Sequence, residues 1–141
     1  MTPEQCRTVQ ASFAQIDPIA DDIAGSFYRR LFELDPALRP LFDTDLKLQG
    51  TKFMEKLAVA VKGLDDLDSI VPFVQSLGRR HHGYGVTAKD YATAGDALLW
   101  ALRDGLGPSF TADVRAAWFA AYTALAAVMI GAEATGAGAP A

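Results

Sequence analysis

The residues with the clearest chemical potential are two adjacent histidines, His81 and His82, the only histidines in the chain. An imidazole that ligates a metal must be neutral at the ligating nitrogen, and its other ring nitrogen is held by a carbonyl or carboxylate. His81 follows Leu77 by four residues and Val74 by seven, so on a helix these three share one face. His82 is turned by roughly 100° from that face, toward solvent or the edge of whatever His81 meets. Two neighbouring helical histidines diverge and cannot chelate one ion well. On spacing alone, two solvent-facing histidines lending positive charge to a helix C-terminus is the simpler reading. No Gly-x-Gly-x-x-Gly follows a strand pattern, so nothing marks a flavin or nicotinamide segment.

The segments that must position these residues read as helices throughout. Thr2-Pro3-Glu4-Gln5 is a capping box with proline in the first turn, and Cys6, Val9, Phe13 and Ile16 then recur at helical spacing. Asp17-Pro18 ends that helix. A second spans about 19–34, with Ile23, Phe27, Tyr28, Leu31 and Phe32 inward. Asp35-Pro36 opens a turn to Phe42, and the polar stretch Asp43-Thr44-Asp45 leads to a helix of about 46–61 carrying Phe53, Leu57 and Val61. Asp65, Asp66 and Asp68 crowd the start of the next helix, where negative charge suits the dipole. That helix ends at His81-His82, before Gly83-Tyr84-Gly85. Thr87 caps another, with Tyr91, Ala94, Leu98 and Leu102 inward, closed by Gly105, Gly107 and Pro108. The last helix runs from near Thr111 to about Glu133. The pattern predicts one all-α domain over 1–133, and a flexible tail of small residues over 134–141.

Composition narrows the class. The chain has 141 residues, half of them apolar, enough for one substantial core. Net charge is −4, with 13 basic and 17 acidic residues spread along the chain, which speaks against nucleic acid and anionic membranes as partners. A lone cysteine, Cys6, excludes an internal disulfide and fits a reducing compartment, and no basic start is followed by an apolar stretch. A cytoplasmic location is the expectation. Residues 116–132 carry no charge, but at 1.5 Å per residue they reach roughly 26 Å, short of the roughly 30 Å hydrocarbon layer. A helix buried inside the protein is expected there.

Three segments carry a family resemblance. Residues 22–42, DIAGSFYRRLFELDPALRPLF, resemble the second and third helices of the globin family. Leu77-Gly78-Arg79-Arg80-His81 followed by Gly85-Val86 is similar to the family's iron-ligand segment. Gly107-Pro108-Ser109-Phe110-Thr111, with Arg115, Trp118 and Tyr122 beyond it, resembles the final helix of neuroglobin-like and bacterial globins, including flavohaemoglobin-type domains. The resemblance covers about residues 2–133. It implies a globin fold, six to eight helices around a haem pocket, with haem b as cofactor.

Carried over by position, the resemblance makes His81 the proximal iron ligand, with Leu77, Tyr84 and Val86 around it, and sets Phe42 on the porphyrin plane. Tyr28 takes the place that faces bound ligand in bacterial globins. Gln49 takes the distal place that vertebrate globins give to histidine, and Phe53 the adjoining apolar site. A shift of register would bring Lys52 or Lys47 nearest the iron instead. Lys52, Arg79, Arg80 and His82 are candidates to meet the haem propionates; a solvated surface explains them equally well. Tyr91 and Glu133 stand where flavohaemoglobin-like globins tie the ligand histidine to a tyrosine and a glutamate. The plainer alternative is a core tyrosine and a solvated helix end.

The implied function is reversible binding of dioxygen, carbon monoxide or nitric oxide at ferrous iron. The outer oxygen of bound dioxygen is negative, and a charge-assisted hydrogen bond from Tyr28 or Gln49 contributes roughly 1.5–3 kcal/mol. Glutamine is a poor iron ligand, so an open sixth position is expected. The alternative is a redox enzyme of nitric oxide dioxygenase or peroxidase type, served by an external reductase. Tyr28 with Tyr91 and Glu133 leans toward it; the lack of a reductase segment leans away. A haem-free helical module is a third class, disfavoured by His81 and Phe42 together.

Overall fold

The computed structural model describes residues 1–42 and 45–138, with side chains described as far as Ala132. Six α-helices joined by short 3-10 turns, and no strand, make up the described residues. Helix α1, Pro3–Ile16, begins with the expected capping box: the Thr2 N–H donates to Gln5 Oε1 at 2.9 Å and the Gln5 N–H to Thr2 Oγ1 at 3.1 Å. Pro18 falls in a 3-10 turn, Asp17–Ile19, that redirects the chain into α2, Ala20–Leu34. Asp35 ends α2 in an extended conformation and caps the 3-10 turn Pro36–Leu41 by accepting from the Ala37 N–H. Of the expected polar linker, Asp43 and Thr44 lie outside the described residues. Asp45 caps α3, Leu46–Lys62, through the Leu48 N–H at 3.1 Å.

Helix α4, Leu67–Gly83, carries both histidines in its last turn. A turn through Gly85 at φ +85° leads to α5, Ala88–Leu106, which opens on a Thr87–Asp90 capping box. Gly107, at φ +56°, occupies backbone space that side chains rarely allow, and so ends α5. Thr111 Oγ1 accepts from the Val114 N–H as α6, Ala112–Gly138, begins. This helix runs beyond the end expected near Glu133. Of the tail proposed over 134–141, residues 139–141 lie outside the described residues.

The helices pack in crossed pairs: α4 and α1 on α6, and both α5 and α3 on α2. The crossings depend on missing side chains. A Cβ on Gly78 would run into the Met129 backbone of α6, and one on Gly50 would meet Ala24 Cβ of α2 at 2.9 Å. Helices α3 and α4, though consecutive, barely touch each other. One leans on α2 and the other on α6, and the two form walls that open apart. At the other end of the molecule the core is closed, with Val9, Ile16, Ala97, Ala101 and Leu102 fully buried. Trp118 Nε1–H donates to Ser12 Oγ at 2.8 Å, and Ser12 in turn donates to the Thr8 carbonyl at 2.7 Å, so the buried polar atoms are paired.

Helix α6 corrects one expectation. It is not buried all round: Ala117, Trp118, Ala121 and Ala132 are buried, but Phe119 is 56 % exposed. The segment Ala112–Ala132 is long and apolar enough to cross a membrane by length and composition alone. Its alanines explain the difference. They are small enough to face water at little cost, so an uncharged run need not be an interior one.

Candidate functional site

The site is built from the ends of helices around the α3–α4 opening. His81 lies one turn after Leu77, so its ring reaches back along α4. His81 Nδ1 is 2.6 Å from the Leu77 carbonyl oxygen. A carbonyl only accepts, so Nδ1 carries a proton, and in the neutral ring Nε2 is then the nitrogen with the lone pair. That is the tautomer a metal ligand requires, fixed by the backbone of its own helix. His81 is half-buried, whereas Arg79, Arg80 and His82 are exposed. The two histidines therefore differ in environment as the helical geometry demanded.

Aromatic rings line the α2–α3 side. Phe27 and Phe53 stack at 4.7 Å between centroids, 13° from parallel. Tyr28 meets Phe42 edge-on at 5.4 Å, and Phe42 meets Phe32 edge-on at 5.5 Å. Phe42, Leu46, Phe53 and Leu57 are only half-buried, packed on the core by one side with the other left uncovered. Tyr28 is buried at 4 % exposure, yet among the described residues its hydroxyl has no hydrogen-bond partner. No buried polar atom there is both sealed and unpaired, so this hydroxyl borders open space. Burial drives its pKa well above the usual phenol range, so it stays an O–H donor.

Gly50, packed against Ala24 and the Tyr28 ring, turns its own face of α3 toward α2. Its neighbour Gln49 is half-buried, while Lys47 and Lys52 on either side are exposed. Leu77 and Val86 are half-buried near His81, and the Val86 N–H donates to the His81 carbonyl at 3.0 Å. Tyr84 is not brought in. It sits in the turn after α4, 64 % exposed, with its N–H bonded to the carbonyls of the helix end.

Tyr91 is buried, its ring centred 6.0 Å from that of His81. The Glu133 side chain lies outside the described residues. Tyr122 enters the sequence reading only as a mark of the globin-like final helix, with no role in the site. Its hydroxyl donates to the Tyr91 carbonyl at 2.6 Å, and its ring fills the space a Cβ on Gly95 would need. A tyrosine in an alanine-rich run was the available signal, since a buried phenol requires a partner. Burial, and then the charge of Asp96, push its pKa upward.

These residues fit haem. The ligand tautomer is set, two splayed walls present half-buried apolar and aromatic side chains, and a buried hydroxyl without a protein partner stands on the α2 side. Among the described residues, no cluster of three or more metal-binding side chains offers an alternative centre. A surface cleft of ≈380 Å³ between Trp100, Arg103, Phe110 and Arg115 lies on another face of α5 and contains no histidine.

An all-α sandwich with one backbone-fixed imidazole between splayed helices has the architecture of a porphyrin-binding protein. The Globin family profile matches residues 25–129. Neuroglobin of Danio rerio is 36 % identical over 116 residues, covering 72 % of this chain and 73 % of that one. The flavohemoprotein of Bacillus subtilis is 34 % identical over 116 residues, 80 % of this chain but 29 % of the relative. A bacterial globin from Campylobacter jejuni superposes with a TM-score of 0.87 at 23 % identity, over 98 % of this chain and 100 % of that one, a likeness of fold. An engineered carbene transferase from Rhodothermus marinus, named also for nitric oxide dioxygenase, superposes with a TM-score of 0.88 at 25 % identity, over 98 % and 96 %. The chain belongs to the globin family.

Proposed function

We propose that the chain holds haem b through His81 and reversibly binds dioxygen, carbon monoxide or nitric oxide on the side of Tyr28 and Gln49. The observation that carries this is the Nδ1–Leu77 bond, which leaves His81 Nε2 as a free lone pair in a half-buried setting. Haem, when bound, would supply a ferrous iron able to take a diatomic gas. Half-buried Phe42, Phe53 and Leu77 would give apolar contact, and exposed Arg80 and Lys52 would meet the propionates. No Cys-x-x-Cys-His precedes His81, and Cys6 is buried in α1 with its thiol on the Leu64 carbonyl, which suits a haem held without thioether links. Tyr28, kept protonated by burial, and the amide of Gln49 donate to the ligand's outer atom. A cytoplasmic setting suits the free thiol.

A second reading is a nitric oxide dioxygenase or peroxidase activity fed by an external reductase. Two observations favour it: the Tyr91 ring beside His81, and the dioxygenase named among the structural relatives. Absorption spectra of the ferric, ferrous and carbonmonoxy protein test the first reading, and nitrate formation from nitric oxide with a supplied reductase tests the second. A purified chain that takes up no haem sinks both.

A further inference from the structure

We propose that the corner formed by the end of α4 and the start of α5 is the docking surface for an acidic flavoprotein that supplies electrons. The inference rests on the haem reading above. Residues 79–89 read Arg-Arg-His-His-Gly-Tyr-Gly-Val-Thr-Ala-Lys, a run without one carboxylate in a chain of net charge −4. Arg79, Arg80, His82 and Lys89 are all exposed. The nearest acid in sequence, Asp90, is engaged at the helix start, where Oδ2 accepts from the Thr87 N–H at 2.9 Å. Tyr84, 64 % exposed, stands in the same run, between Arg80 and Lys89.

Arginine with an exposed aromatic is what protein interfaces enrich, whereas a lone solvated turn has no use for a large ring. In a chain with 17 acidic and 13 basic residues, a corner free of carboxylates is a place to which an acidic partner is attracted and steered. Position adds the functional argument, since the corner includes His81 and its immediate neighbours. The step balances as one electron leaving the partner's reduced flavin, which is oxidised, and arriving at ferric iron, which becomes ferrous. The relative named flavohemoprotein joins both groups by name, and this chain covers 29 % of it.

The test uses the haem-loaded protein and oxidised flavodoxin, with binding read from flavin fluorescence anisotropy and needing no turnover. Arg79→Glu/Lys89→Glu should weaken binding about tenfold at low ionic strength, and raising the salt to about 0.2 M should weaken wild-type binding similarly. Arg29→Glu/Arg103→Glu, on another face, should leave it within about twofold. Stopped-flow reduction by flavodoxin hydroquinone should slow in parallel with the binding loss. Equal loss from both double variants, binding insensitive to salt, or equal attachment to duplex DNA of random sequence would each overturn the proposal. So would a corner variant that loses haem yet binds flavodoxin normally. A wild-type protein with no Soret band fails the haem reading first, before any partner is added.

Discussion

At the scale of single residues, two neighbouring imidazoles are told apart by one hydrogen bond. His81 is tied to the Leu77 carbonyl and half-buried, while His82 is exposed. His81→Ala should therefore abolish or grossly weaken haem retention, and His82→Ala should leave the Soret band near normal. Equal loss in both, measured by haem titration, would overturn the assignment. The distal side was harder to read from sequence, because the linker before α3 is short and its register rested on Gln49-Gly50-Thr51-Lys52-Phe53 alone. In the structure Gly50 packs against Ala24, Gln49 is half-buried and Lys52 is exposed. Tyr28→Phe and Gln49→Leu should each speed dioxygen release about tenfold to hundredfold, from a lost hydrogen bond of roughly 1.5–3 kcal/mol. Carbon monoxide release should change far less, because its outer atom carries little charge. If Lys52→Leu accelerates dioxygen release and Gln49→Leu does not, α3 is misregistered.

The same phenols make a pH statement. Tyr28 and Tyr122 both have folded-state pKa values raised by burial above the ordinary 10.0. Their neutral forms favour the folded state fully below pH about 10, and that stability drains away as pH climbs toward the raised values. A Tyr28→Phe/Tyr122→Phe variant should lose less stability than wild type between pH about 9 and 11.5, read by denaturant melts. A steeper loss in the variant would contradict the assignment.

At the scale of elements, helix ends were the most legible feature. Capping boxes at Thr2 and Thr87 and the stop at Gly107 are local chemistry, written in adjacent residues. The exposed side of α6 was not legible, because an alanine-rich run has no apolar stripe to point with. Nor was the role of Gly78, since nothing near it in sequence reveals Met129 opposite. Gly78→Val should force α4 and α6 apart, costing about 1–3 kcal/mol of stability by overpacking. Gly78 lies three residues before His81, so the same variant should also loosen haem retention. Gly83→Ala, with no atom within 4 Å of the added Cβ, is the matched control. If both variants melt alike, the close crossing does not set the position of His81.

At the scale of the whole molecule, one end is a finished core and the other is two walls with little to hold them together. Trp118, Ser12, Ala101 and Leu102 close the first end without help from any ligand. At the second, α3 rests on α2 and α4 on α6, with half-buried Phe42, Phe53, Leu57 and Leu77 turned to neither helix's full satisfaction. If haem supplies the missing contact, its free energy of binding is added to the stability of the folded chain. Free haem at 100 to 1,000 times its dissociation constant adds about 2.7–4.1 kcal/mol. In a chain of this length that corresponds to a rise of about 10 °C in Tm. The apo-protein should melt lower by that order and show weaker helical circular dichroism. Hydrogen exchange should place the loss in α3 and the last turns of α4, while α1, α5 and the first half of α6 keep their protection. Refilling with haem should restore both signals together. An apo-protein with unchanged melting and helicity would mean that α3 and α4 stand without haem. Loss spread evenly over all six helices would mean that the closed end depends on the open one.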